Sequence, residues 1–126
     1  MFFYISITSH NLAASSATWM HDNLATLGDL PIGELCIPGS HNSGMSIIQS
    51  ETFFSLSSAT KTQTLPIESQ LHLGVRYFDV RPCLLDGKFY TGHYSNLPVV
   101  GWQGANGESM DSIIETLNRY TAPVLK

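Results

Sequence analysis

Gly74-Val75-Arg76-Tyr77-Phe78-Asp79-Val80-Arg81-Pro82 is the stretch on which the fold turns. A glycine opens it and a proline, which cannot donate to a ladder, halts it. Between them lie β-branched and aromatic residues, so the run predicts a buried strand over Val75–Arg81. Asp79 and Arg81 stand two apart and share one face of that strand. Just upstream, Pro66 to Leu73 predicts a helix with proline near its first position and Gly74 just past its end. Downstream, Asp86-Gly87 is a turn signal, and Lys88 to His93 predict a third strand.

Working outward in both directions gives the remaining elements. Ser15 or Ser16 caps an expected helix carrying Trp19, Met20, Leu24 and Leu27, with Gly28 as its stop. Glu34-Leu35-Cys36-Ile37 reads as a first buried strand closed by Pro38-Gly39. The Ser- and Thr-rich segment from Ser40 to Thr64 reads as a long excursion with one short helix around Gly44 to Phe54. Gly101 to Gly107 lacks the spacing of a phosphate-binding loop and reads as a flexible loop. Ser109 caps a last helix in which Met110, Ile113, Ile114 and Leu117 fall on one face. Ala122 to Lys126 reads as the start of a fourth strand. Strands alternating with helices and long connections suit parallel crossovers, and such sheets gather functional residues at the carboxyl ends of their strands.

Composition narrows the class. The chain has 126 residues with 43% hydrophobic and 13% charged, enough for one modest core and too apolar for a disordered tail. Six Lys and Arg against ten Asp and Glu give a net charge of −4, which excludes the electrostatic footprint of a duplex nucleic-acid binder. No apolar run approaches the ~20 residues of a membrane span. Cys36 and Cys83 are far apart, lack C-x-x-C spacing and sit among apolar residues, so both are expected as buried free thiols. Residues 1–15 read as a lead-in, strand-like or ragged, without the basic start of a signal peptide.

Three places hold ionisable groups at expected strand ends. His41 lies in the Pro38-Gly39-Ser40-His41-Asn42-Ser43-Gly44 loop, Asp79 and Arg81 close the second strand, and His93 follows Gly92 in the third. Two imidazoles, a guanidinium and a carboxylate on one face suit attack on a phosphodiester. One imidazole removes a hydroxyl proton while the other protonates the leaving oxygen. Arg81 offers a fork of donors to the non-bridging oxygens as their charge grows. Ser40 and Ser43 lack a Gly-x-Ser-x-Gly elbow, so a serine hydrolase is not indicated. Without partners, Asp79 and Arg81 read as a structural ion pair. Arg76 reads as a brace, and His10, His21 and His72 as structural. Trp102 and Tyr94 read as loop aromatics that cap the core or meet a lipid interface.

Ile37 to Ser43, Gln70-Leu71, Gly74 to Pro82 and Phe89-Tyr90-Thr91-Gly92-His93, in that order, resemble the X region of phosphatidylinositol-specific phospholipase C. The resemblance runs from about Trp19 to Lys126. It implies an α/β fold, the N-terminal half of a distorted TIM-type (β/α) barrel of the phospholipase C-like phosphodiesterase architecture, truncated near the fourth strand. Residues 1–15 would be a lead-in and 16–126 a partial X-type catalytic domain. It implies hydrolysis of phosphatidylinositol-type lipids at a membrane surface through a cyclic inositol phosphate. His41 would be general base, His93 general acid, Asp79 the group that holds the base, and Arg81 the phosphate ligand, with Asn42 also on the substrate.

Arg81 matches the metal-independent bacterial type, whereas Asn42 resembles the calcium ligand of eukaryotic members. A fixed positive charge beside Asn42 and Asp79 disfavours Ca²⁺, which needs several hard oxygens, so no metal is expected. Family members place the catalytic histidine directly before a glycine. Here a gapless alignment would put Thr91 there, and a two-residue slide keeps His93 on the same strand face. Imidazole alone titrates in the useful range, so His93 is the expected acid. A full barrel takes ~250 residues, so the missing C-terminal half is expected from a longer protein. The chain is expected to be soluble and peripheral to membranes, secreted or cytoplasmic. The competing expectation is a catalytically silent remnant that binds a lipid headgroup or a protein.

Overall fold

Two short parallel strands carry the segments that matter most. In the computed structural model, which describes residues 15–122, a first helix α1 (Trp19–Asp22) runs almost directly into α2 (Leu24–Leu27), and Gly28 caps the pair. A 3-10 turn over Ile32–Glu34 follows, then β1 (Gly39–Ser40), β2 (Ser50–Glu51), α3 (Ser57–Thr60) and α4 (Ile67–His72). Next come β3 (Tyr77–Phe78), β4 (Pro82–Leu85), β5 (Lys88–Leu97), β6 (Gly101–Ser109) and α5 (Met110–Thr121). β1 pairs parallel with β3, Gly39 opposite Tyr77 and Ser40 opposite Phe78. The other four strands form an antiparallel sheet in the order β2-β6-β5-β4. The fold is therefore mixed, and no closed barrel is found among the described residues.

The α4–β3 passage follows the sequence logic closely. Pro66 precedes the first turn of α4, and Gly74 beyond its end takes φ +96°, a value glycine reaches without steric cost. Ile67, Gln70 and Leu71 share the buried face of α4. Ile67, Leu71 and Ile113 of α5 form the core, with Phe78, Val80, Met110, Leu117 and Tyr120 packed around them. Ser109 caps α5, its Oγ accepting the Ser112 N–H at 3.2 Å. Arg76 is the expected brace: it donates to the carbonyls of Leu71, Val75 and Ala17 and to the Tyr120 hydroxyl, and its guanidinium lies over the Tyr120 ring. Three segments are tied by one side chain.

Several expectations are corrected. Glu34 to Ile37 is not a paired strand; Leu35 and Ile37 are half-buried while Glu34 and Cys36 face solvent, and pairing begins only at Gly39. Cys36 is thus an exposed thiol, whereas Cys83 is partly buried; both are free. Residues 44–54 form tight turns and β2 rather than a helix. The expected strand over 75–81 is laddered only at Tyr77 and Phe78. Gly101 to Gly107 is no loop but most of β6, with residues 104–108 buried, and Tyr94 and Trp102 lie in strands. The glycines serve close approach of backbones. A Cβ at Gly104 would strike the β5 backbone, and one at Gly107 would meet Gly44 and Thr91. The expected lead-in up to Ala14, with His10, and the fourth strand beyond Ala122 fall outside the described residues.

Candidate functional site

Asp79 is the hub. It is the first residue past β3, and its N–H extends the parallel ladder to Ser40 O at 3.1 Å. Its carbonyl accepts the Ser43 N–H at 2.8 Å, which folds the loop after β1 back over the strand end. Its side chain meets three groups through one oxygen. Oδ2 lies 2.7 Å from His41 Nδ1, accepts the Asn42 N–H at 3.3 Å and stands 3.6 Å from an Arg81 guanidinium nitrogen. The sequence pair of loop histidine and strand-end carboxylate therefore meets in space, with Arg81 beside it. Gly39, Ser40, His41, Tyr77 and Asp79 line an open concavity of about 400 Å³.

The loop itself presents His41 outward on a buried base. The His41 side chain is 67% exposed, whereas Asn42 to Ser46 are all buried. Asn42 sits at φ +48°, a conformation asparagine tolerates better than most residues. Its carbonyl accepts the Met45 N–H and the Thr62 hydroxyl, while Gln63 Nε2 donates to His41 O at 2.7 Å. Beneath the loop, Gly44 O accepts both the Glu108 N–H and the Thr91 hydroxyl, the latter at 3.0 Å. Gln70 Nε2 donates to Ser43 O and Leu65 O. These bonds hold the loop's backbone, and the imidazole stands exposed above it.

Thr91 and His93 take different parts. Thr91 is fully buried under Gly44, so its hydroxyl is committed to the loop. His93 lies opposite Ala105 and is half-buried, with Nδ1 3.2 Å from Thr60 O. A carbonyl only accepts, so Nδ1 carries a proton and Nε2 is the nitrogen left for chemistry. His93 bonds to none of His41, Asp79 or Arg81, and the concavity beside His41 is not lined by it. The structure thus joins His41, Asn42, Asp79 and Arg81, and sets His93 apart on the antiparallel sheet.

Sequence reading missed Glu108. It is buried, and its Oε1 accepts the Ser46 hydroxyl at 3.1 Å and the Ile67 N–H, the first of α4, at 3.2 Å. Burial pushes its carboxyl above the ordinary range, with both hydrogen bonds pulling the other way. The available signal was a lone acid in a run of small residues just ahead of a capped helix. Gln70 was signalled better: it shares the Ile67 and Leu71 face, where an amide must find buried partners. On the far side of β5, Asn106 Oδ1 accepts from Cys83 Sγ and the Tyr94 hydroxyl, and burial raises the pKa of both donors. His21 and His72 lie on helices away from the concavity, His21 beside Asp22 and His72 edge-on to Tyr120.

A histidine–carboxylate pair flanked by a guanidinium, at the carboxyl end of a parallel strand pair, is the arrangement of an acid–base site for an anionic substrate. No protein-family model matches the chain, and no solved structure matches it. A PI-PLC X-box domain-containing protein of Dictyostelium discoideum is 35% identical, over an alignment covering 69% of this chain and 14% of that protein. The chain therefore spans about a seventh of that relative's length. Its sequence is similar to a PI-PLC X-box protein, which agrees in part with the resemblance read from its motifs. Among the described residues, no helix is long and apolar enough to cross a membrane.

Proposed function

We propose that this chain is the N-terminal part of a phospholipase C-like phosphodiesterase that cleaves phosphatidylinositol-type lipids. The contact that carries the reading is His41 Nδ1 to Asp79 Oδ2 at 2.7 Å. A carboxylate that accepts from Nδ1 fixes the tautomer in which Nε2 holds the lone pair, as a general base requires. In this reading the inositol 2-hydroxyl gives its proton to His41 Nε2 and its oxygen bonds to phosphorus. The phosphorus–glycerol oxygen bond breaks, and that oxygen takes its proton from His93. Arg81, 52% exposed and held loosely at 3.6 Å, is free to turn its fork of donors toward the phosphate oxygens. The half-barrel belongs to the same proposal: β1 and β3 would be neighbouring strands of the closed sheet that the rest of a longer protein completes. The same proposal requires His93, set apart on the antiparallel sheet, to reach the concavity.

Calcium does not fit these residues. The Asp79 oxygen that would face it already takes His41 and the Asn42 N–H and lies beside a guanidinium; the unpartnered Asn42 Oδ1 adds one oxygen, still far from the six to eight the ion needs. The reaction is accordingly proposed without a metal. The test is release of cyclic inositol phosphate from phosphatidylinositol in the presence of a chelator. Turnover is expected, and His41→Ala should lower it by at least ~100-fold, the usual weight of a positioned base. Loss of activity in chelator, or full activity in His41→Ala, would overturn the mechanism.

A further inference from the structure

Both nitrogens of His41 are already bonded. Nδ1 faces the Asp79 carboxylate, and Nε2 lies 3.0 Å from the Asn42 side-chain nitrogen. A carboxylate accepts only, so Nδ1 carries the proton and Nε2 offers a lone pair to the Asn42 N–H. No hydroxyl can donate to that lone pair while the amide holds it. We propose that Asn42 is a positioning residue that latches the base: its amide closes Nε2 in the resting site and turns over as the base takes its proton. This rests on His41 being the base, and it adds how access to that base is controlled.

The surroundings of Asn42 are built for such a turn. Its backbone is fixed on both sides, the N–H on Asp79 and the carbonyl under Met45 and Thr62. The residue is 3% exposed, yet its Oδ1 is buried without a partner, a state that costs about 1–3 kcal/mol when left unmet. Of its polar atoms, only the amide oxygen is left without a partner. The attacking hydroxyl must first displace Nδ2 from that lone pair; once it has passed its proton to Nε2, the ring has two N–H donors and can no longer accept from Nδ2. A half-turn of the amide then sets Oδ1 on the new Nε2–H, giving the orphaned oxygen its partner. The proton leaves when the cyclic phosphate is opened by water and the ring returns it to the departing inositol 2-oxygen, and the amide turns back. The asparagine thus matches each protonation state with one end of its side chain.

The test is Asn42→Gly in the full-length protein, because glycine accepts φ +48° and removes only the amide. The first measurement is the ¹⁵N resonances of the His41 ring, which need no turnover. The Nε2 signal is expected to move to that of a lone pair without an amide donor, while Nδ1–H stays on Asp79. The second is kinetic, with a soluble short-chain phosphatidylinositol. KM is expected to fall about fivefold, the weight of one hydrogen bond no longer displaced, while kcat falls by about the same factor because the protonated ring has lost Oδ1. A structural role alone would lower kcat without tightening KM, so the joint fall is the signature of the latch. An unmoved Nε2 resonance would overturn the latch whatever the activity. A moved resonance with unchanged KM would overturn its control of access. Wild-type protein without turnover would overturn the reading of His41 as base, a failure separable from the first.

Discussion

The loop after β1 and the tip of the β5–β6 hairpin are both tight turns with a residue in the left-handed region, and the protein treats them in opposite ways. At the loop, that residue is Asn42 at φ +48°, buried and tied through both its N–H and its carbonyl. At the tip, it is Val99 at φ +76°, a β-branched side chain wholly exposed. The loop has chain packed beneath it from α4, β5 and β6; the tip has water on most sides, with Leu97, Val100 and Trp102 also exposed. Interactions have accumulated where an imidazole must be held, and strain has been left where nothing is held. That difference teaches where substitution will be felt.

The largest effect should come from the strand under the loop. A Cβ at Gly107 would sit 2.6 Å from Thr91 Oγ1 and 2.8 Å from Met45 Sδ, and closer still to Gly44 O. All three neighbours belong to the loop or its clamp, and a backbone carbonyl cannot swing aside as a long side chain can. Gly107→Ala is expected to destabilise the fold by about 3 kcal/mol, the upper part of the overpacking range, as read by thermal unfolding. It should also widen the His41–Asp79 contact, visible in the His41 ring signals. A loss within a few tenths of a kcal/mol would mean the loop is less firmly clamped than its contacts indicate.

A middle-sized effect should come from Glu108, which sharpens the comparison by adding pH. Burial raises its carboxyl above the ordinary value near 4.5, so the neutral form is the one the fold prefers. Folded and unfolded forms then differ in proton binding between those two values. The stability this group adds is complete below about pH 4.5 and is lost as pH rises through the higher folded value. Glu108→Gln keeps an acceptor for Ser46 and Ile67 and cannot ionise. The stability difference, variant minus wild type, should therefore grow in the variant's favour from pH 4.5 toward neutrality. Urea unfolding across that range reads it. A flat difference would mean Glu108 stays charged or is hydrated in the fold.

These contrasts mark what the sequence made legible. Caps and stops were readable because each acts locally: Ser109 for α5, and Pro66 and Gly74 around α4. The pairing of His41 with Asp79 came from the family resemblance rather than from local pattern, and in the structure the two meet because β1 and β3 are adjacent. β6 was not readable, since glycines that break a loop's contour and glycines that admit a neighbouring backbone look alike until the neighbour is known. Glu34 to Ile37 failed for a related reason. Four residues suffice for an extended segment, but pairing depends on a partner chain elsewhere. Glu108 and the bond of His93 to Thr60 join residues 33 to 62 apart, which local pattern does not reach.

The smallest effect belongs to the tip, and it should have the opposite sign. Holding a valine in the left-handed region costs about 1–3 kcal/mol, and asparagine adopts that conformation with far less strain. Val99 has no neighbouring packing to lose, since its side chain is fully exposed. Nor does the turn depend on side-chain packing: Gly101 also takes a positive φ of +73°, and Val100 N–H to Pro98 O at 3.0 Å closes a three-residue turn that is strained around a β-branched centre. Val99→Asn is therefore expected to stabilise the protein by about 1 kcal/mol, raising Tm by about 3–5 °C for a chain of 126 residues. The same exchange in reverse sense at the loop, Asn for a β-branched residue, would bury strain against the clamp. A decrease in Tm for Val99→Asn would mean that the exposed valine is in contact with something that supports its conformation, and the contrast between the two turns would fail on that side.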